Sequence, residues 1–271
     1  MRFYTYGLGK IQLQMILRPM TIRMRKRMAF TLIELLTVIA IIGILAAMLM
    51  AGLVSAVNAA KKTKARLQEQ DLVTAIEQYD SAYGRFPVSS GVQSAATGGD
   101  FTFGDSLLAR YAARMVGTGN YTTNNSEVIA MLMDLTNYPD GSGATVNIGH
   151  GKNPQHTLFL NAKMSGDTNL PGVGPDLIYR DPWGTPYVIT MDLSYDDECR
   201  DVFYSLDAVS GFNQTSANPG LNGLVNPDPV KHDDFQFHGK VMVWSAGPDK
   251  KIDPQDSAKD WENRNNVLSW K

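Results

Sequence analysis

The sequence predicts an α+β fold, in which a long N-terminal helix, half transmembrane and half amphipathic, packs on a small antiparallel β-sheet domain. Three observations predict it. Leu35–Ala60 is a 26-residue segment without a charged side chain; Asn58–Tyr83 is free of Gly and Pro and carries an apolar stripe; and short β-rich runs bounded by Gly, Pro, Asp and Asn gather after residue 181.

The helix is prefaced by a basic leader. Residues 1–29 hold seven basic side chains (Arg2, Lys10, Arg18, Arg23, Arg25, Lys26, Arg27) and no acid. Removing these 7 from the 25 Lys and Arg leaves 18 against 27 Asp and Glu, so the body carries a net −9. An acidic body of this kind excludes nucleic acid as a partner, because polyanion binding needs a basic face. Met20, Met24 and Met28 are alternative starts, and one at Met20 keeps a basic leader. Cys199 is the only cysteine, which rules out an intramolecular disulfide. Its acidic neighbours Asp196, Asp197, Glu198 and Asp201 oppose thiolate formation, so it reads as a packed residue.

An apolar helix of about 20 residues spans a bilayer core, and Leu35–Val57 is long enough to cross with some tilt. A core helix of a soluble protein and a secretory signal cleaved near Ala46-Ala47 are the alternatives, the second disfavoured by the length of the run. Seven leader charges against Lys61, Lys62, Lys64 and Arg66 beyond the run favour an N-terminus inside.

Past the span, Ala65, Leu72, Ile76, Tyr79 and Tyr83 recur at helical spacing, which predicts one helix from about Phe30 to Tyr83. Gly84 is placed to cap it and Pro87 to prevent a restart. Residues 85–180 form a variable region rich in Gly, Ser, Thr and Asn, with helical pieces over 105–116 and 126–136. Strands are predicted at 187–190, 202–204 and 240–244, the last two separated by a long loop at 211–234.

One carboxylate, Glu34, stands at the mouth of the apolar run, where an acid is costly unless it is paired. The order of residues explains it. A basic leader, Ala29, then Phe30-Thr31-Leu32-Ile33-Glu34 and the apolar run resemble the class III signal of type IV pilin-like proteins. The resemblance implies cleavage between Ala29 and Phe30 by a prepilin peptidase, N-methylation of Phe30, and pairing of Glu34 with the freed Phe30 amine of a neighbouring subunit. Ala29 departs from the pattern, which has Gly before the cut. The implied organisation is a removed leader (1–29), a transmembrane and filament-core helix (30–57), its amphipathic continuation (58–84), the variable region (85–180) and a sheet with a C-terminal loop (181–271).

Three further segments resemble the major pseudopilin of type II secretion. Tyr83–Pro87, "YGRFP", matches the end of that family's long helix. Asp181–Tyr187, "DPWGTPY", matches its DPWG-x-PY segment, where Asp181 and Gly184 suit a turn and Trp183 a core plug. Val243–Asp256 matches its calcium loop, for which Ser245, Asp249, Asp253 and Asp256 offer oxygens; Lys250, Lys251 and the pair Asn265-Asn266 depart from the family pattern and weaken a cation site. The resemblance further implies as partners other copies of the chain, minor pseudopilins and an inner-membrane assembly platform. It places the chain as a single-pass inner-membrane protein, N-terminus cytoplasmic and C-terminal domain periplasmic, assembled in a periplasmic filament. A type IV pilus subunit and a signal-anchored binding domain that does not polymerise are the alternative readings.

Nothing points to an enzyme. There is no Gly-x-Ser-x-Gly, P-loop or His-Glu-x-x-His, and no nucleophile, base and orienter stand together. His232, Asp233, Asp234 and His238 match no zinc spacing, Asp196–Glu198 reads as a solvated turn, and His150 and His156 stand isolated among Gly and Asn.

Overall fold

A computed structural model of the chain describes residues 30–96, 99–109 and 123–271. Its dominant element is α1, Leu32–Tyr83, 52 residues long. It ends as the sequence requires: Gly84 adopts φ +64° and its N–H donates to the Asp80 carbonyl (2.7 Å), a left-handed stop that favours glycine. Between Ala51 and Gly52 the chain divides into two compact units, of which Gly52–Lys271 holds the sheet and the buried core of the described residues.

Among the described residues, the further short helices are α2 (Ser90–Ala96), α3 (Asp105–Leu108), α4 (Ser126–Leu132) and α5 (Asp207–Ser210). The strands are β1 (Phe101–Phe103), β2 (Gly172–Val173), β3 (Tyr179–Arg180), β4 (Val188–Met191), β5 (Glu198–Cys199), β6 (Phe237–His238), β7 (Val241–Ser245) and β8 (Val267–Leu268). The principal sheet is antiparallel throughout, in the order β1-β4-β7-β8. Pairs β2-β3 and β5-β6 form separate two-stranded ribbons.

Side-chain alternation along β4 and β7 splits the core in two. Ile189, Met191, Val241 and Val243 join Phe101 and Phe103 against Leu72, Ile76 and Tyr79 of α1 and Val128–Leu132 of α4. Val188, Met242 and Trp244 face the other way, toward Cys199, Val202, Phe203, Tyr204, Leu224 and Phe235. Both faces of the sheet are covered, which is why "VITM" and "VMVWS" are apolar runs rather than alternating ones.

One strand expectation needs correction. Val202-Phe203-Tyr204 is a buried turn. The Asp201 carboxylate accepts from the N–H groups of Phe203 and Tyr204 (both 2.9 Å), closing the backbone locally, while the apolar side chains pack on Trp244. The sheet edges, β1 and β8, come instead from "FTF" and "VL". The expected helix over 126–136 ends at Leu132. The one over 105–116 is helical to Leu108, and its remainder from residue 110 lies outside the described residues. The stretch 211–234 is the long loop expected, with two single-turn 3-10 segments.

Candidate functional site

The N-terminal site is built by the first turn of α1. Thr31 is its N-cap: the Thr31 N–H and hydroxyl both donate to Glu34 Oε2 (2.8 Å each), and the Glu34 N–H donates back to Thr31 Oγ1 (3.3 Å). This is a reciprocal capping box, which satisfies helix N–H groups that otherwise lack partners. Glu34 therefore has a partner within its own chain, which the sequence reading assigned only to a neighbour. Following it, Leu35, Ile39, Ile42, Leu45, Leu49 and Leu53 are all more than half exposed. Among the described residues α1 is the one helix long and apolar enough to cross a membrane, and the most apolar 18-residue window of that helix has a mean hydropathy of 2.7 with none of it buried. Ala29 lies outside the described residues.

Beyond residue 58 the same helix changes character. Ala65, Leu72, Ile76 and Tyr79 are buried, and Glu69 fills the one gap in that stripe. Glu69 is fully buried, and neither carboxylate oxygen has a hydrogen-bond partner. Burial first, and the charge of Asp181 second, push its pKa up to about 9, against a smaller opposing pull from Arg66. Glu69 is thus protonated at neutral pH. Sequence reasoning missed it, although an acid at the vacant position of an otherwise apolar stripe was a readable signal.

The turn at "DPWGTPY" faces this region. Asp181, itself buried, accepts from the N–H groups of Trp183 (2.8 Å) and Thr185 (2.9 Å) and from the Ser245 hydroxyl. Burial is the largest influence on Asp181 and raises its pKa, against these hydrogen bonds, which lower it. Gly184 holds φ +89°, and a Cβ there would stand 2.7 Å from the Asn169 carbonyl oxygen. Trp183 packs with Ala65 of α1 and Val267 of β8. The segment is a buried corner, as its residue types imply.

The expected calcium donors do not all converge: Asp249 and Asp256 share a cleft, and Ser245 is committed elsewhere. Ser245 is buried on β7, its hydroxyl committed to Asp181 and to the Gly247 N–H. Asp249 accepts from Asn265 Nδ2 (2.5 Å), and Asp253 Oδ1 accepts from the Gln255 N–H (2.9 Å). The carbonyls of Asp253 and Asp256 converge on an amide rather than a space: both accept from Asn263 Nδ2 at 2.7 Å. Asp249 and Asp256 line a cleft of about 450 Å³ together with Glu262, but Arg264 lines it too. A hard cation needs about six converging oxygens, and these residues do not fit that requirement.

Elsewhere, His232 pairs with Asp207 (2.7 Å) and His238 with Glu198 (3.1 Å). Cys199 is buried, with its thiol pushed well up by desolvation. The isolation expected of His150 and His156 is incorrect: their rings lie 3.8 Å apart, beside Asp134.

With this geometry in view, residues 24–50 match the prokaryotic N-terminal methylation motif, the type IV pilin-like signal. No curated protein and no solved structure matches the chain. The matched residues span the end of the leader, the capping box and the first half of the apolar run. The motif implies processing by a prepilin peptidase and association with the membrane.

Proposed function

We propose that this chain is a pilin-like structural subunit, inserted with its N-terminus inside, cleaved between Ala29 and Phe30, N-methylated on Phe30, and polymerised through residues 30–57 into a filament. One observation carries the reading. The methylation motif coincides with a capped helix start at Thr31 and Glu34, and the helix that follows presents apolar side chains that its own chain leaves uncovered. Lipid covers such a surface before assembly and neighbouring helices cover it after. Contacts of one face on a different face generate a filament where the repeated rotation does not close into a ring. Glu34 exchanges its Thr31 bonds for the Phe30 amine of the next subunit, a charge pair favoured in a dry core.

Within this class we favour the major pseudopilin of a type II secretion system, with minor pseudopilins and an inner-membrane assembly platform as partners and a periplasmic filament as the product. "YGRFP", "DPWGTPY" and the segment after β7 support it. A type IV pilus subunit is the second reading, favoured by one observation: the C-terminal donors do not converge as a calcium loop requires. Cross-linking in intact cells tests polymerisation. The expected result is a ladder of multimers that requires the prepilin peptidase; monomers alone favour a signal-anchored binding domain. Whether the filament stays in the periplasm or extends from the cell surface separates secretion from pilus.

A further inference from the structure

Asp134 lies two residues beyond α4, and His150 and His156 lie on the loop that follows it. The fold brings the three together so that one ligand atom from each falls within 4.8 Å of the others. His150 Nδ1 is 2.7 Å from Asp134 Oδ1, and His156 Nδ1 is 3.4 Å from Asp134 Oδ2. In a tetrahedral site with metal bonds of about 2.0–2.2 Å, adjacent ligand atoms stand roughly 3.3–3.5 Å apart. Each histidine faces a different oxygen of Asp134, and small rotations of the carboxylate and rings bring one ligand atom from each residue to that spacing.

Two buried asparagines support the ligands. Asn147 is fully buried; its Nδ2 donates to Asp134 Oδ1 (3.0 Å), and its Oδ1 accepts from the N–H groups of Lys152 (3.1 Å) and Asn153 (3.0 Å). Asn153, also fully buried, donates to the carbonyls of Met131 (3.1 Å) and Thr157 (2.7 Å). The loop bearing both histidines is thereby tied to the end of α4 that bears the aspartate. Such outer hydrogen bonds orient metal ligands and set their affinity.

Asp134, His150 and His156 all adopt left-handed φ values, +53°, +58° and +53°, a region that Asp and His enter more readily than most residues. Two imidazole Nδ1 atoms also converge on one carboxylate, and each ring can bind a cation through Nδ1 as the neutral tautomer that carries its proton on Nε2.

We propose that Asp134, His150 and His156 bind a first-row divalent metal ion of the zinc type. Nitrogen and carboxylate donors suit such ions, and three protein ligands leave a fourth position open to water. The side chains of His150 and His156 are 33% and 59% exposed, so the open position faces solvent. The ion clips the loop 134–156 to α4, and the inference stands apart from the filament reading.

The test uses the untagged full chain in detergent, stripped of metal and titrated with Co²⁺, then with Zn²⁺. The expected result is saturation at one equivalent, with the visible d–d bands of four-coordinate Co²⁺, displaced by Zn²⁺. His156→Ala and His150→Ala each weaken Co²⁺ binding at least tenfold, while His232→Ala and His238→Ala leave it unchanged. His156 is exposed enough that its variant keeps the fold, checked by circular dichroism. Absence of four-coordinate bands, or a loss under tenfold in the His156 variant, overturns the proposal.

Discussion

Two glutamates on one helix, Glu34 and Glu69, face opposite physical situations. Glu34 sits at the first turn of α1, where Thr31 gives it two hydrogen bonds and the backbone N–H groups welcome negative charge. Glu69 sits nine to ten turns later, buried against the domain with no hydrogen bond, and keeps its proton. The first acid is easily retained as a charge and is available to a partner. The second is tolerated only by becoming neutral. The two halves of α1 differ in their covering: the packed domain covers the stripe of 58–83, while the apolar side chains of 30–57 stand exposed, as the proposed membrane and filament role requires.

The largest expected effect comes from breaking the first acid. Glu34→Ala removes the multimer ladder in cross-linked cells while the unfolding midpoint of the protein is unchanged; a full ladder contradicts the assembly role. Glu69→Gln is next. Its folded pKa of about 9 lies above the usual value of 4.5, so the folded state binds the proton more tightly. The stability it contributes is complete below pH 4.5 and is lost as pH rises through 9, at about 1.4 kcal/mol per pH unit. The neutral amide removes that slope and stabilises the fold by about 3 kcal/mol at pH 7, read by denaturant unfolding at pH 5, 7 and 9. An unchanged pH profile means the buried acid is ionised and paired.

Asp181→Ala leaves two buried N–H groups and the Ser245 hydroxyl without their acceptor, and is expected to cost about 2–3 kcal/mol in the same unfolding assay. A cost under half of that range means water replaces the carboxylate. The smallest effect concerns calcium. Because Asn263 already occupies the carbonyls of Asp253 and Asp256, a calcium chelator is expected to leave the thermal midpoint unchanged. A drop that added Ca²⁺ restores contradicts this.

What the sequence disclosed depended on how local the signal was. The helix, its glycine stop and strands β4 and β7 follow from periodicity and residue type within one window, and all three stand in the structure. The turn at 202–204 was misread because its cause is the side chain of Asp201, whose carboxylate outweighs the β preference of Val, Phe and Tyr. β1 and β8 are three and two residues long, too short for any periodicity to show. His150 and His156 read as isolated, and Asp134 went unremarked, because sixteen and six residues separate the three and the fold alone closes the loop. Glu34 was legible, but its Thr31 partner was not weighed, although Thr-x-x-Glu is a readable capping signature.

Processing to a chain that begins at Phe30, and entry into a filament by the end so created, is read by intact-mass and N-terminal mass spectrometry of the membrane-extracted protein from cells with and without the prepilin peptidase. The expected result is a mature chain starting at singly N-methylated Phe30 with the peptidase and the full leader without it. A leader retained in both, or a mature terminus beyond residue 45, contradicts it.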